Sequence, residues 1–349
     1  MDETRPVPAE ERFDTERLLT WLREHLELGG GEVRWARFSG GHANLTYLLA
    51  VGPQELVIRR PPLGPVAPGT HDMGREHRVL SVLHQAFPLA PRSLAYCEDA
   101  SIIGAPFLVA ERRHGIAIGR DLPASFVHRR DVAAGIGAML IDTLAALHRL
   151  DTASLGLDTL GRPEGFLTRQ LEGWQRRWQA AAEGNSPDAA GLLARLAAAM
   201  PRSPGPTLLH NDFKLDNILV DPDDPRQPRA VLDWDMATRG DPLLDLGYLL
   251  TYWAEPSDPP AWLEAAAMPT WRPGFLTRAE AAARYAAATG TDIAAIAWYQ
   301  AFAAFKLAVI LQQIFIRYRR GQTTDQRFAH FDRRVAALVA KAASQAARL

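Results

Sequence analysis

Residues 208–237 read LLHNDFKLDNILVDPDDPRQPRAVLDWDMA. Two short apolar runs, NILVD and RAVLDW, are joined by PDDPRQP, whose prolines exclude regular structure. The pattern predicts a hairpin, and a hairpin brings its two ends together. Asn217 opens the first run and Asp233 closes the second, so the two are expected side by side. Asp212 lies in the loop just before them, within reach of both.

Two carboxylates and an amide converging on one place form an all-oxygen donor set, which suits a hard cation such as Mg²⁺. Lys214 adds a positive charge that suits phosphate. Together these are the working parts of phosphoryl transfer. Asp212 would orient or deprotonate the attacking hydroxyl, Asn217 and Asp233 would hold the metal, and Lys214 would meet the γ-phosphate. The competing reading is a polar loop in which Asp and Asn only close turns. It suits any one of these residues, but not the full pattern H-x-D-x-K-x-x-N followed by an Asp-Trp at hairpin distance. Lysine usage sharpens the point. Of 39 basic residues only Lys214, Lys306 and Lys341 are lysines, leaving 36 arginines, so a lysine kept in a polar loop is informative.

The 349 residues are 47% hydrophobic and 23% charged, enough for a large core in one domain or two. A formal net charge of −1 gives no reason to expect nucleic acid or an acidic membrane as partner. The single cysteine, Cys97, excludes an internal disulfide framework and fits a reducing compartment. The start of the chain is acidic and lacks an apolar signal core. Residues 301–318 are the most apolar long segment, but Lys306, Gln312 and Gln313 interrupt them. The uninterrupted run is short of the ~20 residues of a membrane span, so a buried helix and a cytoplasmic address are expected.

The chain changes character near residue 112. Before it, helices are expected over 14–26 and 71–86, and strands over VRWARF, LTYLLAV, QELVIRR and 102–112. After it, helical periods dominate: 133–151, 165–184, 188–200 and 240–253, where Asp241 can cap and Pro242 can occupy the first turn. The expected architecture is α+β in two lobes, a β-rich lobe over 1–110 and a mainly helical lobe over 111–349. If the second lobe holds the metal and hydroxyl, the first must cover a nucleotide. The glycine turn SGGHAN (39–44) lets backbone approach phosphate. Alternation along QELVIRR puts Arg59 and Arg60 on opposite faces, so one of them can face phosphates and pair with Glu76 on the following helix.

These residues resemble the aminoglycoside phosphotransferase family, which shares the protein-kinase-like fold. HNDFKLDN…VLDWD carries the likeness, and SGGHANLTYLL, LVIRRPPLGP, REHRVLSVL, APFLVAER, LAALHRLD, GFLTRQLEGWQRRW and GDPLLDLGYLL extend it over nearly the whole chain. Within the family the chain looks most similar to the kinase-like domain of some acyl-CoA dehydrogenases. The resemblance implies an ATP- and Mg²⁺-dependent small-molecule kinase with Asp212 as catalytic aspartate and Asn217 and Asp233 as metal ligands. It places Ser39, Gly40, Gly41 and Asn44 in the phosphate-covering loop. Arg59 stands where the family usually has a phosphate-binding lysine, with Glu76 as its partner. The hinge falls at 109–113, including Glu111, with backbone groups for adenine. It also makes Asp245 a brace for the catalytic loop and His210 a packed support. Arginine for lysine at 59 is not conservative, because a forked guanidinium needs more room.

The acceptor pocket is expected from the helices after 165 and 245. Trp174, Trp178, Tyr248, Tyr252 and Trp253 would either line it, as an aromatic box for a cation, or belong to the core. RQLEGWQRRW and IRYRRGQ are arginine-rich, which opposes a polycationic aminoglycoside and favours an anionic hydroxyl acceptor. The resemblance suggests a hydroxyacyl-CoA or hydroxy acid, with a functional link to an acyl-CoA dehydrogenase. The alternatives are an aminoglycoside, macrolide or choline-like amino-alcohol kinase, and a nucleotide-binding scaffold without turnover.

Overall fold

The computed structural model describes residues 4–39, 44–64, 71–184, 186–323 and 325–349. The first lobe is an antiparallel sheet of β1 (Thr4–Arg5), β2 (Val33–Phe38), β3 (Leu45–Val51), β4 (Gln54–Arg60), β5 (Ser93–Cys97) and β6 (Phe107–Glu111). Their spatial order is β1-β2-β3-β4-β6-β5. Helix α1 (Thr15–His25) begins at Asp14, whose side chain accepts the Arg17 N–H, and α2 (Met73–Leu83) begins at Asp72 in the same way. The helices cover opposite faces. Leu18, Leu19 and Leu22 of α1 pack with Leu56, Ile58 and Val109, whereas Val79, Leu80 and Leu83 of α2 join the core that contains Leu108. Adjacent residues of one strand thus serve two cores, as the two-residue period requires.

That parity settles the arginine pair. Arg60 lies on the α1 side with Ile58 and donates to the Ile103 carbonyl; Arg59 turns toward α2. Two boundaries differ from expectation. Within 102–112 only Phe107–Glu111 is strand, and Ser93–Cys97 supplies a further strand beside it. The sheet runs to Glu111, so the lobes meet at its end.

The second lobe contains β7 (Ile116–Ala117), α3 (Arg130–His148), α4 (Phe166–Ala181), α5 (Ala190–Ala198), β8 (Thr207–Leu209), β9 (Ile218–Val220), β10 (Pro228–Val231) and β11 (Thr238–Gly240). After these come α6 (Pro242–Tyr252), α7 (Pro260–Ala265), α8 (Arg278–Thr289), α9 (Ile296–Arg319) and α10 (Phe331–Ala346). Helix α6 starts as its sequence demands: Pro242 is in the first turn and Asp241 accepts the Leu243 N–H at 2.9 Å. Tyr299 of α9 donates to the other Asp241 oxygen at 2.7 Å. Helices α6 and α9 nearly touch at Gly247, where a Cβ would come within 2.8 Å of Tyr299 backbone. Only glycine permits that approach. Helices α3 and α9 are long and apolar enough to cross a membrane, but most of each is buried against the rest of the lobe. Trp253, Trp298, Phe302 and Phe305 are fully buried in the core of this lobe, the two phenylalanines each contributing about 1.5–3 kcal/mol.

Candidate active site

Strands β8 and β11 pair antiparallel and bracket the segment that carries the polar residues. Immediately after β8 the chain turns through Asn211, at φ +66°, and presents Asp212. Asp245 on α6 holds this turn: its Oδ2 accepts the His210 N–H at 2.7 Å and its Oδ1 accepts the Asn211 N–H at 2.8 Å. His148 on α3 lies 3.3 Å from the same carboxylate. Burial raises the Asp245 carboxyl, but these donors outweigh it and hold it below the usual range. His210 is fully buried, with Nε2 donating to the Leu232 carbonyl at 2.9 Å and Nδ1 accepting the Asp212 N–H at 3.3 Å. Both ring nitrogens are engaged in support, as expected for this residue.

The Asn217 amide donates to both the carbonyl and Oδ2 of Asp212, at 2.8 and 2.9 Å. Asn217 lies in a 3-10 turn (Leu215–Asn217) rather than in the strand, and Asp233 lies beyond the end of β10 at φ +70°. The hairpin still joins them: the Leu232 N–H donates to the Asn217 carbonyl at 2.8 Å. With its NH₂ committed to Asp212, Asn217 keeps its side-chain oxygen for another partner. That oxygen and the Asp233 carboxylate are the hard-oxygen set Mg²⁺ takes, the rest of its shell coming from water and phosphate. The residues present therefore fit the metal. Lys214 Nζ sits 3.3 Å from Asp212 Oδ2 and 3.6 Å from Asp216. Burial lowers its pKa, but the two carboxylates more than compensate, so it stays charged.

Arg59 links the lobes. Its Nη2 donates to Asp233 Oδ1 at 2.7 Å and its Nε is 3.3 Å from Glu76 Oε2. The Arg59 Nε and Glu76 Oε2 face each other without hydrogen-bond alignment, so this contact is chiefly coulombic. Glu76 is 1% exposed, and burial pushes its carboxyl up to about 7 despite Arg59, with Asp233 and Asp235 adding to the rise. Asp233 is driven up by burial and down by Arg59, and the net direction is down. The guanidinium thus serves Asp233 first.

Of the covering loop, Gly40 and Gly41 lie outside the described residues; Ser39 and Asn44 flank them. Asn44 is buried and donates to Asp235 Oδ2 at 3.0 Å, while His71 Nδ1 contacts Asn44 Oδ1 at 2.8 Å. Asp235, His71 and Asp216 had no assigned role in the sequence; the doubled acid of DWD was the one available sign of Asp235. Glu111 ends β6 at the expected hinge. Its N–H already donates to the Arg92 carbonyl at 3.0 Å, and its carboxylate accepts from Arg92 N at 2.9 Å and lies 2.7 Å from Arg113. With this N–H engaged, adenine is left to the other backbone groups of the 109–113 hinge.

Residues 34–302 match the model of the phosphotransferase enzyme family. The chain belongs to that family. This phosphotransferase is 35% identical over 337 residues to acyl-CoA dehydrogenase family member 11 of Rattus norvegicus, covering 93% of this chain and 43% of the relative. It is 31% identical over 325 residues to family member 10 of Mus musculus, covering 92% and 30%. The chain spans less than half the length of these relatives. Among solved structures, a Ralstonia eutropha protein provisionally assigned as an aminoglycoside phosphotransferase superposes with a TM-score of 0.82 at 28% identity, covering 97% and 99% of the two chains. An aminoglycoside phosphotransferase with ADP and hygromycin B reaches 0.56 at 18% identity, covering 93% and 97%, and shares the fold. The chain is a member of the phosphotransferase family with a kinase-like fold, an antiparallel first lobe and a helical second lobe.

Proposed function

We propose that this phosphotransferase moves the γ-phosphoryl group of Mg·ATP to a hydroxyl of an anionic small molecule, a hydroxyacyl-CoA or a hydroxy acid. The observation that carries the acceptor class is who occupies the aromatic faces. Lys306 sits 4.2 Å from the Tyr248 ring centre and 5.5 Å from that of Trp174; Arg177 lies 4.4 Å over Trp174, and Lys214 lies 5.6 Å from Tyr252. These rings were the candidate box for a cationic substrate, and the protein's own cations already fill it. A second cation would be repelled, and an anion attracted. Trp178 and Trp253 are core residues, buried against Phe305 and Gly137. This opposes the amino-alcohol and aminoglycoside readings.

Asp212 accepts the proton of the attacking hydroxyl as the new O–P bond forms and the bond to the β-phosphate oxygen breaks. Lys214, 3.3 Å from Asp212, offers positive charge to the transferred group. Asp233 and the Asn217 oxygen would hold Mg²⁺, which neutralises phosphate charge. The match to acyl-CoA dehydrogenase family members supports the acyl nature of the acceptor and a dehydrogenase acting on the same chain as partner. The test is ATP-dependent transfer over pooled hydroxy acids, hydroxyacyl-CoAs, amino alcohols, aminoglycosides and macrolides, with Asp212→Asn as control. Transfer to the first two pools, absent in the variant, is expected; transfer only to a cationic or macrolide pool would overturn the reading.

A further inference from the structure

Lys306 is one of three lysines in an arginine-dominated chain, and it is 8% exposed. A buried ammonium normally has a carboxylate beside it. Lys306 has none within ion-pair distance among the described residues. Its one hydrogen bond is a long contact of 3.5 Å to the Asn211 carbonyl, so a group with three donors is largely unsatisfied. Arg177, on the neighbouring α4, also forms no ion pair among the described residues, and the two cations share the Trp174 ring. Burial lowers the Lys306 pKa, Asp245 and then Asp212 partly restore it, and Arg177 adds a smaller lowering.

The nearby carboxylates are already engaged, Asp245 by the His210 and Asn211 N–H groups and Asp212 by Asn217 and Lys214, so the Lys306 donors remain open to an anion. The space for it is present. A cavity of about 10 Å³ lies against Lys306, lined by Gln170, Asn211, Asp245, Tyr248 and Phe302 among others, with both Asp245 oxygens taken up by the His210 and Asn211 N–H groups. That is the volume of one water, and so of one oxygen of an anionic group. Its position relative to the chemistry is also suitable. Tyr248 and Tyr252 meet edge to face at 5.2 Å with their hydroxyls 3.2 Å apart. Lys306 stands at the Tyr248 end of this pair, and Lys214, with Asp212, at the Tyr252 end. A molecule lying along the two rings has its hydroxyl at Asp212 when its anion is at Lys306.

We infer that Lys306, with Arg177 across Trp174, forms the subsite that holds the anionic group of the phosphate acceptor. The inference rests on the proposed acceptor class and assigns that class a pair of residues. The anion has two sources, the carboxylate of a free hydroxy acid or a phosphate of CoA.

The experiment compares 3-hydroxybutyrate, 3-hydroxybutyryl-CoA and uncharged 1,3-butanediol as acceptors for the wild type, Lys306→Met, Lys306→Arg and Arg177→Ala. Loss of a charge-assisted contact should lower the preference for an anionic acceptor over the diol roughly ten- to a hundredfold in Lys306→Met. Lys306→Arg should recover part of it, and Arg177→Ala should show a smaller loss. A collapse confined to the free acid identifies the carboxylate, and one confined to the thioester identifies the CoA phosphate. An unchanged ratio, with all acceptors reduced alike, would make Lys306 a structural support and overturn the subsite. A second readout needs no turnover. With only three lysines, ¹³C-lysine labelling gives three assignable side-chain signals, and titrating 3-hydroxybutyrate and, separately, CoA into the full chain with a non-hydrolysable ATP analogue should shift that of Lys306. If neither probe moves it, the subsite fails even where transfer occurs. If Lys306 shifts but no acceptor is phosphorylated, the subsite stands and the reaction assignment fails.

Discussion

The Arg59 guanidinium donates to Asp233 at 2.7 Å while its Nε faces Glu76 at 3.3 Å, so one side chain joins the sheet, α2 and the candidate metal loop. A lysine in its place has one ammonium for both carboxylates. Arg59→Lys should keep ATP turnover with kcat/KM for ATP reduced by roughly tenfold, the worth of one charge-assisted bond. Arg59→Met, which removes both contacts, should lose more than roughly a hundredfold. Steady-state kinetics with varied ATP decide this, and equal losses in the two variants would show that the charge is dispensable.

Glu76 titrates near 7 in the fold against 4.5 in its absence, so the folded state binds more protons between those values. Stability therefore falls as pH rises through that window. Activity has the opposite sign, because only the ionised carboxylate draws Arg59 away from Asp233. The acid limb of kcat/KM for ATP should follow an apparent pKa near 7, with activity rising above it. Glu76→Gln should flatten both the limb and the stability slope, measured by denaturant titration from pH 4.5 to 8. Persistence of both in the variant would assign them to another group.

Asn44 reaches Asp235 at 3.0 Å across 191 residues of sequence, and His71, just before α2, completes the chain. This buried contact ties the end of the covering loop to the candidate metal loop. Asn44→Ala and Asp235→Asn should each weaken ADP binding. The double variant should be no worse than the poorer single one, a coupling on the order of 1 kcal/mol. Calorimetric titration of the four proteins gives the cycle, and strict additivity would remove the link.

Asp245 accepts the His210 and Asn211 N–H groups of the turn before Asp212 and faces His148. Asp245→Asn replaces a charge with an amide that must point a donor at one of those N–H groups. Loss on the order of 3 kcal/mol is expected from breaking this buried network, with kcat reduced even at temperatures where the variant is folded. Thermal unfolding and kinetics at low temperature test both, and an unchanged Tm would refute the brace.

Lys341 of α10 lies 3.9 Å from the Trp262 ring centre and is depressed by burial, and then by Arg278, from 10.5 to about 8. The folded state binds fewer protons between those values, so stability rises with pH from about 8 to 10.5, and the cost of the buried charge is fully present below 8. Lys341→Met should stabilise the protein at pH 7 by on the order of 1–2 kcal/mol. The difference should vanish above pH 10.5, as read by Tm against pH; a destabilised variant at pH 7 would show that attraction to Trp262 outweighs desolvation.

Much of the candidate site's geometry was legible because it is local. Asp212, Asn217 and Asp233 are joined by a hairpin whose turn and strands are both written in residues 208–237. The two-residue period of β4 made Arg59 and Arg60 face opposite ways, and cap chemistry marked the start of α6 at Asp241 and Pro242. Each of these depends on backbone geometry within a few residues, which side-chain type and spacing encode directly. The Asn44–Asp235 contact, the His71 bond, and the meeting of Lys306 with Arg177 at Trp174 depend instead on which distant element comes to lie against which. Periodicity reports that one side of α9 is buried, not that α4 and α6 cover it. Glu111 shows the same limit, since the Arg92 backbone that engages both its N–H and its carboxylate lies 19 residues away in the sequence. Chain pattern determined the local parts and their chemistry, and only packing decided their partners, because burial is specified residue by residue whereas contact requires two surfaces to meet.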